Sequence, residues 1–124
     1  MNVIEQARQA YAPAQFPLRT ARSVEAQLIS QITAALKKAS DNVKVDYPAF
    51  IAAIHNNRRF WTTMAIDVAG DDNGLPNALR AQIFYLAEFT ELHSKKVIAG
   101  NATTDALIEI NTAILRGLNS TGVQ

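Results

Sequence analysis

His55 and His93 are the only two histidines in the chain, and both fall inside segments with helical periodicity. In a helical bundle a di-iron centre needs a glutamate three residues ahead of each histidine, so that both ligands share one helix face. Positions 52 and 90 hold Ala and Thr instead. A His-Glu-x-x-His zinc motif is absent, and no cysteine is available as a thiolate ligand or nucleophile. Each histidine therefore reads as a polar helix residue. Glu88 and Glu91 resemble a carboxylate pair, but Glu91 precedes Lys95 by four residues, the favourable order for a surface ion pair, and both glutamates read as solvent-facing.

The remaining chemistry is equally thin. No serine stands in a Gly-x-Ser-x-Gly turn. Gly70 and Gly74 flank Asp71-Asp72, whose charge would repel a phosphate, and Asp71, Asp72 and Asn73 are too few for a calcium loop. We expect no enzyme activity, no cofactor and no metal. What stands out is polar: Asn57, Arg58 and Trp61, with Arg80 and Asn111, interrupt otherwise apolar stripes. Two readings are open. These residues form an internal network, with Arg58 across the indole or at a helix end and Asn111 bridging helices, or they form a recognition patch of the Trp and Arg types that anchor interfaces.

The elements that must hold these residues are helices throughout. Ala21, Val24, Leu28, Ile32, Ala35 and Leu36 recur at threes and fours after Pro17. Asp46 before Tyr47-Pro48 is a capping residue followed by a first-turn proline. The helix it opens carries Tyr47, Ile51, Ile54, Arg58, Trp61, Ala65 and Val68 on one stripe, with a break or kink expected at Asn57 and a stop at Gly70. Leu75-Pro76 reopens helix through Leu79, Ile83, Leu86, Thr90, His93 and Val97 to Gly100. Within it, Phe84, Tyr85 and Phe89 add apolar surface beyond one stripe, so this helix is either central in the bundle or half covered by a partner. Thr103 or Thr104 caps the last helix; Leu107, Ile110 and Ile114 form its buried edge, with a stop at Gly117. Val3, Ala7 and Tyr11 suit a short leading helix, joined by a proline-bounded strap that Phe16 pins to the bundle.

The fold class is thus all-α, an antiparallel bundle of about four main helices with a short N-terminal helix and strap. One domain covers all 124 residues: an arm over 1–17, a bundle over 18–118 and a frayed tail over 119–124. The formal net charge is +1 and basic residues never run longer than two, which argues against direct nucleic-acid or membrane-surface binding. The N-terminus lacks the basic start and apolar core of a signal peptide. The longest apolar run, 49–54, is far below the ~20 residues that span a bilayer. With no cysteine, a cytoplasmic location is expected.

The order of these residues resembles the FlaF family of flagellar biosynthesis regulators. The resemblance covers 18–118 and rests on Arg22-Ser23-Val24-Glu25, Asn57-Arg58-Arg59-Phe60-Trp61, Asp67, Asn73-Gly74-Leu75-Pro76, Leu79-Arg80, Leu107-Ile108-Glu109-Ile110-Asn111 and Gly117-Leu118. Phe60 stands where leucine is the more frequent residue of the family. The resemblance implies a small helical cytoplasmic protein needed to make or export flagellin, with flagellin and the regulator FlbT as partners. A secretion chaperone fits the physics, because flagellin ends are amphipathic helices whose apolar faces would associate prematurely before export. The competing class is a regulator of flagellin expression acting through a protein partner or flagellin mRNA, for which Arg58-Arg59 beside Trp61 offers the one stacking platform. The candidate partner-binding residues are Asn57, Arg58, Trp61, Asn73, Leu75, Pro76, Arg80, Phe84, Tyr85 and Phe89.

Overall fold

The computed structural model describes the backbone of residues 15–70, 74 and 76–123, and the side chains of 26–70, 74 and 76–117. Four helices occupy it: α1 Gln15–Asp41, α2 Tyr47–Ala69, α3 Asn77–Ile98 and α4 Asp105–Val123. The short leading helix expected around Val3, Ala7 and Tyr11 lies outside the described residues.

Residues 42–46 join α1 to α2 and residues 99–104 join α3 to α4. α1 lies along α2 and α4, α2 lies along α1 and α3, and α3 meets α4 over only a short stretch. The helices are therefore arranged cyclically, with α1 across from α3 and α2 across from α4, the all-α bundle expected from the periodicity.

Local chemistry explains most of the boundaries. Asp46 caps α2 by accepting a hydrogen bond from Ala49 N at 3.2 Å, and Pro48 sits in the first turn, where a missing N–H costs nothing. α3 closes on Gly100, whose φ of +82° suits a residue without a Cβ. Asn101 N donates to Lys96 O at 2.8 Å and Gly100 N to Val97 O at 3.0 Å, the paired bonds of a Schellman stop.

Five expectations are corrected. α1 begins at Gln15, not after Pro17, because a proline at the third helical residue breaks no intrahelical bond. The strap therefore gives up its last residues, including Phe16, to helix backbone. Gly117 does not end α4, which continues to Val123, so most of the expected tail is helical. α2 runs through Asn57 without a break, since that side chain bonds to another helix and leaves its own backbone alone. On α1 the buried stripe is Ile29, Thr33, Leu36 and Ala39, while Leu28 is 44% exposed and Ala35 is exposed. The face is rotated by one residue, and Thr33, which it turns inward, is satisfied there by donating its hydroxyl to Ile29 O at 2.6 Å. Tyr47 likewise leaves its expected stripe for the surface, and Phe50 is buried in its place.

The core consists of two apolar clusters. One joins the end of α1 (Leu36, Ala39), the start of α2 (Phe50, Ala53, Ile54), the end of α3 (Val97) and the start of α4 (Leu107). The other joins Ile29, Phe60, Trp61, Met64, Val68, Ile83 and Ala87, with Ile110 and Ile114 packed against them. Between its contributions to the two clusters, every helix carries buried polar residues: Thr33 on α1, Asn57 on α2, Thr90 and Ser94 on α3, and Asn111 on α4.

Replacement of Gly100 tests the stop. A Cβ there meets nothing within 4 Å, so the cost of Gly100→Ala is confined to the backbone. We expect a loss of about 1–2 kcal/mol, read from the denaturant midpoint with an unchanged slope.

Candidate functional site

Of the ten residues singled out from the sequence, the eight described ones separate into an interior network, a bridge on the α2–α3 face and a partly apolar surface on α3. Asn73 and Leu75 lie outside the described residues.

The interior network holds Asn57 and Trp61, with Asn111. Trp61 is 1% exposed and both asparagines are at 0%. Trp61 Nε1 donates to Asn111 Oδ1 at 2.9 Å, and Asn111 Nδ2 donates to Asn57 Oδ1 at 2.7 Å. The Asn111 amide thus links two residues one helical turn apart on α2, across the diagonal of the bundle. Asn57 Nδ2, Thr90 Oγ1 and Ser94 Oγ are buried with no protein hydrogen-bond partner. Phe60 meets the indole edge-on, with centroids 6.0 Å apart and planes at 88°.

Arg58 points the other way, toward the surface between α2 and α3. Its Nε donates to Glu91 Oε1 at 3.0 Å and its Nη2 to Glu91 Oε2 at 2.5 Å, a two-point bridge, while Nη1 lies 3.2 Å from His55 Nδ1. Lys95 Nζ adds a longer contact to the same carboxylate at 3.8 Å. Glu91 is therefore the half-buried partner of Arg58 and not simply solvent-facing. The hydrogen bonds from Arg58 are the main cause of a lowered Glu91 pKa, against the opposing effect of partial burial.

Arg80 serves as a cap. Its Nε donates to Val68 O at 2.8 Å and its Nη2 to Gly70 O at 2.9 Å, placing a cation on the last carbonyls of α2, where the helix dipole favours it. Arg80, Phe84 and Tyr85 share an open depression of about 420 Å³ with Val68 and Glu88. Phe84 is 42% and Tyr85 65% exposed, whereas Phe89 is half-buried and stacked on His93 with centroids 5.4 Å apart. Pro76 is exposed ahead of the first turn of α3.

A second surface escaped the sequence reading. Along the outer seam of α1 and α2 runs a mostly apolar groove of about 490 Å³, lined by Leu28, Ile32, Ala35, Ala53, Phe60 and Met64 among others. It continues into a reach of about 530 Å³ beside Ala39, Ala49 and Ala52, and Ala35, Ala53 and Asn56 belong to both. The available signal was the apolar run 49–54, which is more than one stripe of α2 can bury.

Among the described residues, no three His, Asp or Glu side chains gather where a metal ion could be held, and no helix is long and apolar enough to cross a membrane. The molecule is a small helical bundle whose distinctive side chains are largely engaged with one another. A family model described as flagellar protein FlaF matches residues 7–118, starting ahead of the segment that carried the resemblance. The chain belongs to the FlaF family. No curated protein and no solved structure matches it.

Two outcomes follow from this geometry. Trp61→Ala removes a fully buried indole and strips Asn111 of a donor, and should lower stability by about 3–5 kcal/mol in denaturant unfolding. For Glu91, the folded pKa lies below the unfolded value. Its stabilising effect is therefore complete above the ordinary glutamate range and is lost as pH falls through the depressed folded value. Because the carboxylate is 38% exposed, solvent screening limits the effect to under about 1 kcal/mol. Glu91→Gln should flatten that part of the acid limb in a pH series of thermal melts.

Proposed function

We propose that this FlaF-family protein binds flagellin monomers in the cytoplasm as an export chaperone, and through that contact takes part in regulating flagellin synthesis and secretion. The observation that carries the reading is apolar surface left open along the α1–α2 seam. Leu28, 44% exposed, lines the continuous α1–α2 groove, and on α3, away from that groove, Tyr85 and Leu92 are 65% and 61% exposed. Single exposed apolar residues are ordinary, but a continuous apolar groove marks a surface built for contact. Flagellin supplies a matching need, since its terminal amphipathic helices must be kept from pairing before they reach the filament.

The second reading is a regulator of flagellin expression acting through FlbT or flagellin mRNA. Its RNA branch loses support from the position of Trp61, which is 1% exposed and hydrogen-bonded inside, so the indole offers no platform for a base. Arg58 is committed to Glu91. A protein partner is the branch that the surface favours, and FlbT fits it alongside flagellin.

Calorimetry with monomeric flagellin tests the proposal. We expect saturable binding with a dissociation constant of about micromolar or tighter and a negative heat-capacity change from apolar burial. Flagellins lacking either terminal segment, sized with the protein by gel filtration, identify the end that is held. Absence of binding to every flagellin form at micromolar concentration overturns the chaperone reading.

A further inference from the structure

We propose that the interior of the bundle binds a water molecule between α2 and α3, held by Asn57 Nδ2, Thr90 Oγ1 and Ser94 Oγ, and that this water joins α3 to the relay that ties α2 to α4. The site lies inside the fold and is independent of any partner.

The indole N–H of Trp61 fixes the polarity of the site. It can only donate, so Asn111 must turn Oδ1 toward it, at 2.9 Å, and Nδ2 toward Asn57. Asn57 must in turn present Oδ1, which accepts from Asn111 Nδ2 at 2.7 Å. Neither amide can be flipped without breaking this chain of bonds, so Asn57 Nδ2 is left to donate elsewhere. It belongs to a side chain at 0% exposure and has no protein acceptor. A buried donor in that position calls for an acceptor of another kind.

Thr90 and Ser94 stand one turn apart on the buried face of α3. They share the level of Asn57, because the adjacent residues Arg58 and Glu91 are bonded across the same two helices. Both hydroxyls are buried and make no protein hydrogen bond. That sets them apart from the helical hydroxyls of Thr33, Ser40, Thr63 and Thr112, each of which donates to the carbonyl one turn earlier. A single water can accept from Asn57 Nδ2 and donate to the two hydroxyl oxygens, making about three bonds, as internal waters do. An ion does not suit the site, since none of the buried side chains among the described residues is charged and its charge would stay uncompensated. A larger solute has no way in, because Ile54 and Val97 close the layer on one side and Trp61 and Ala87 on the other. α3 meets α4 over only a short stretch, so the water supplies a connection between them, through Asn57, that direct packing provides weakly.

A high-resolution crystal structure of the full chain tests the site. We expect density for a water within hydrogen-bonding reach of Asn57 Nδ2 and of at least one of the two hydroxyls. The proposal is overturned if the hydroxyls turn back onto Leu86 O and Thr90 O with no water at Asn57, or if Asn57 Nδ2 donates directly to one of them. The Thr90→Val/Ser94→Ala double variant removes both hydroxyls with little change of shape and leaves the water a single partner. It should lose the water and raise the unfolding equilibrium constant by about fivefold or more in denaturant melts. Removing hydroxyls that hold nothing would instead leave stability unchanged or raise it, and that result overturns the proposal. If the double variant does not fold, Thr90→Val alone, the closer match in shape, gives the same comparison.

Discussion

The hydrogen-bond relay from Trp61 through Asn111 to Asn57 is the constraint on which the rest of the bundle depends. Two apolar clusters, one at each side of it, would by themselves tolerate helices sliding past one another, because apolar packing is non-directional. A buried indole N–H and two primary amides do not tolerate it. Sliding α4 by one turn against α2 would leave these groups unpaired in the interior, at about 1–3 kcal/mol each. One residue further along α2, Arg58 turns outward to Glu91 and fixes the level of α3 in the same way. Two consecutive residues of α2 thus set the register of two different helices, one from inside and one from outside.

That arrangement decides where recognition is possible. The residues that look most like an interface by type, the tryptophan and the arginines, are consumed in holding the fold: Trp61 by Asn111, Arg58 by Glu91, Arg80 by the last carbonyls of α2. Surface available to a partner comes instead from plain residues, chiefly alanines with Leu28 and Ile32, along the α1–α2 seam. The layer also has a stability cost, since Asn57 Nδ2, Thr90 Oγ1 and Ser94 Oγ are buried without a protein partner. Of the two readings left open for the polar cluster, the network is the one found, although Arg58 pairs across to α3 and does not lie on the indole.

The fold was readable wherever the signal is local. Asp46 with Pro48, the glycine at 100 and the threes and fours of Ile83, Leu86, Thr90, His93 and Val97 each carry their physical cause in the adjacent residues. What could not be read depends on a partner distant in sequence. The buried face of α1 is set by α2 and α4, which pack against it, and they turn Thr33 inward and leave Leu28 exposed as a groove residue. Glu91 next to Lys95 looks like an exposed pair because nothing nearby announces Arg58, thirty-three positions earlier. Gly117 looks like a stop, yet glycine only permits a left-handed turn and does not require one. The family was legible from the order of its residues, whereas the groove is a property of two helices side by side and no single segment displays it.

The position of the one tryptophan has an optical consequence. Trp61 is the sole indole in the chain, so its near-ultraviolet fluorescence comes from a single, defined environment. That environment is apolar on one flank and hydrogen-bonded to Asn111 on the other, and it is shielded from water-soluble quenchers. Phe60 touches the indole edge-on while its own ring helps to line the α1–α2 groove. The chain therefore contains a built-in reporter whose emission wavelength registers the integrity of the interior layer, and whose anisotropy and intensity lie one aromatic ring away from whatever enters the groove.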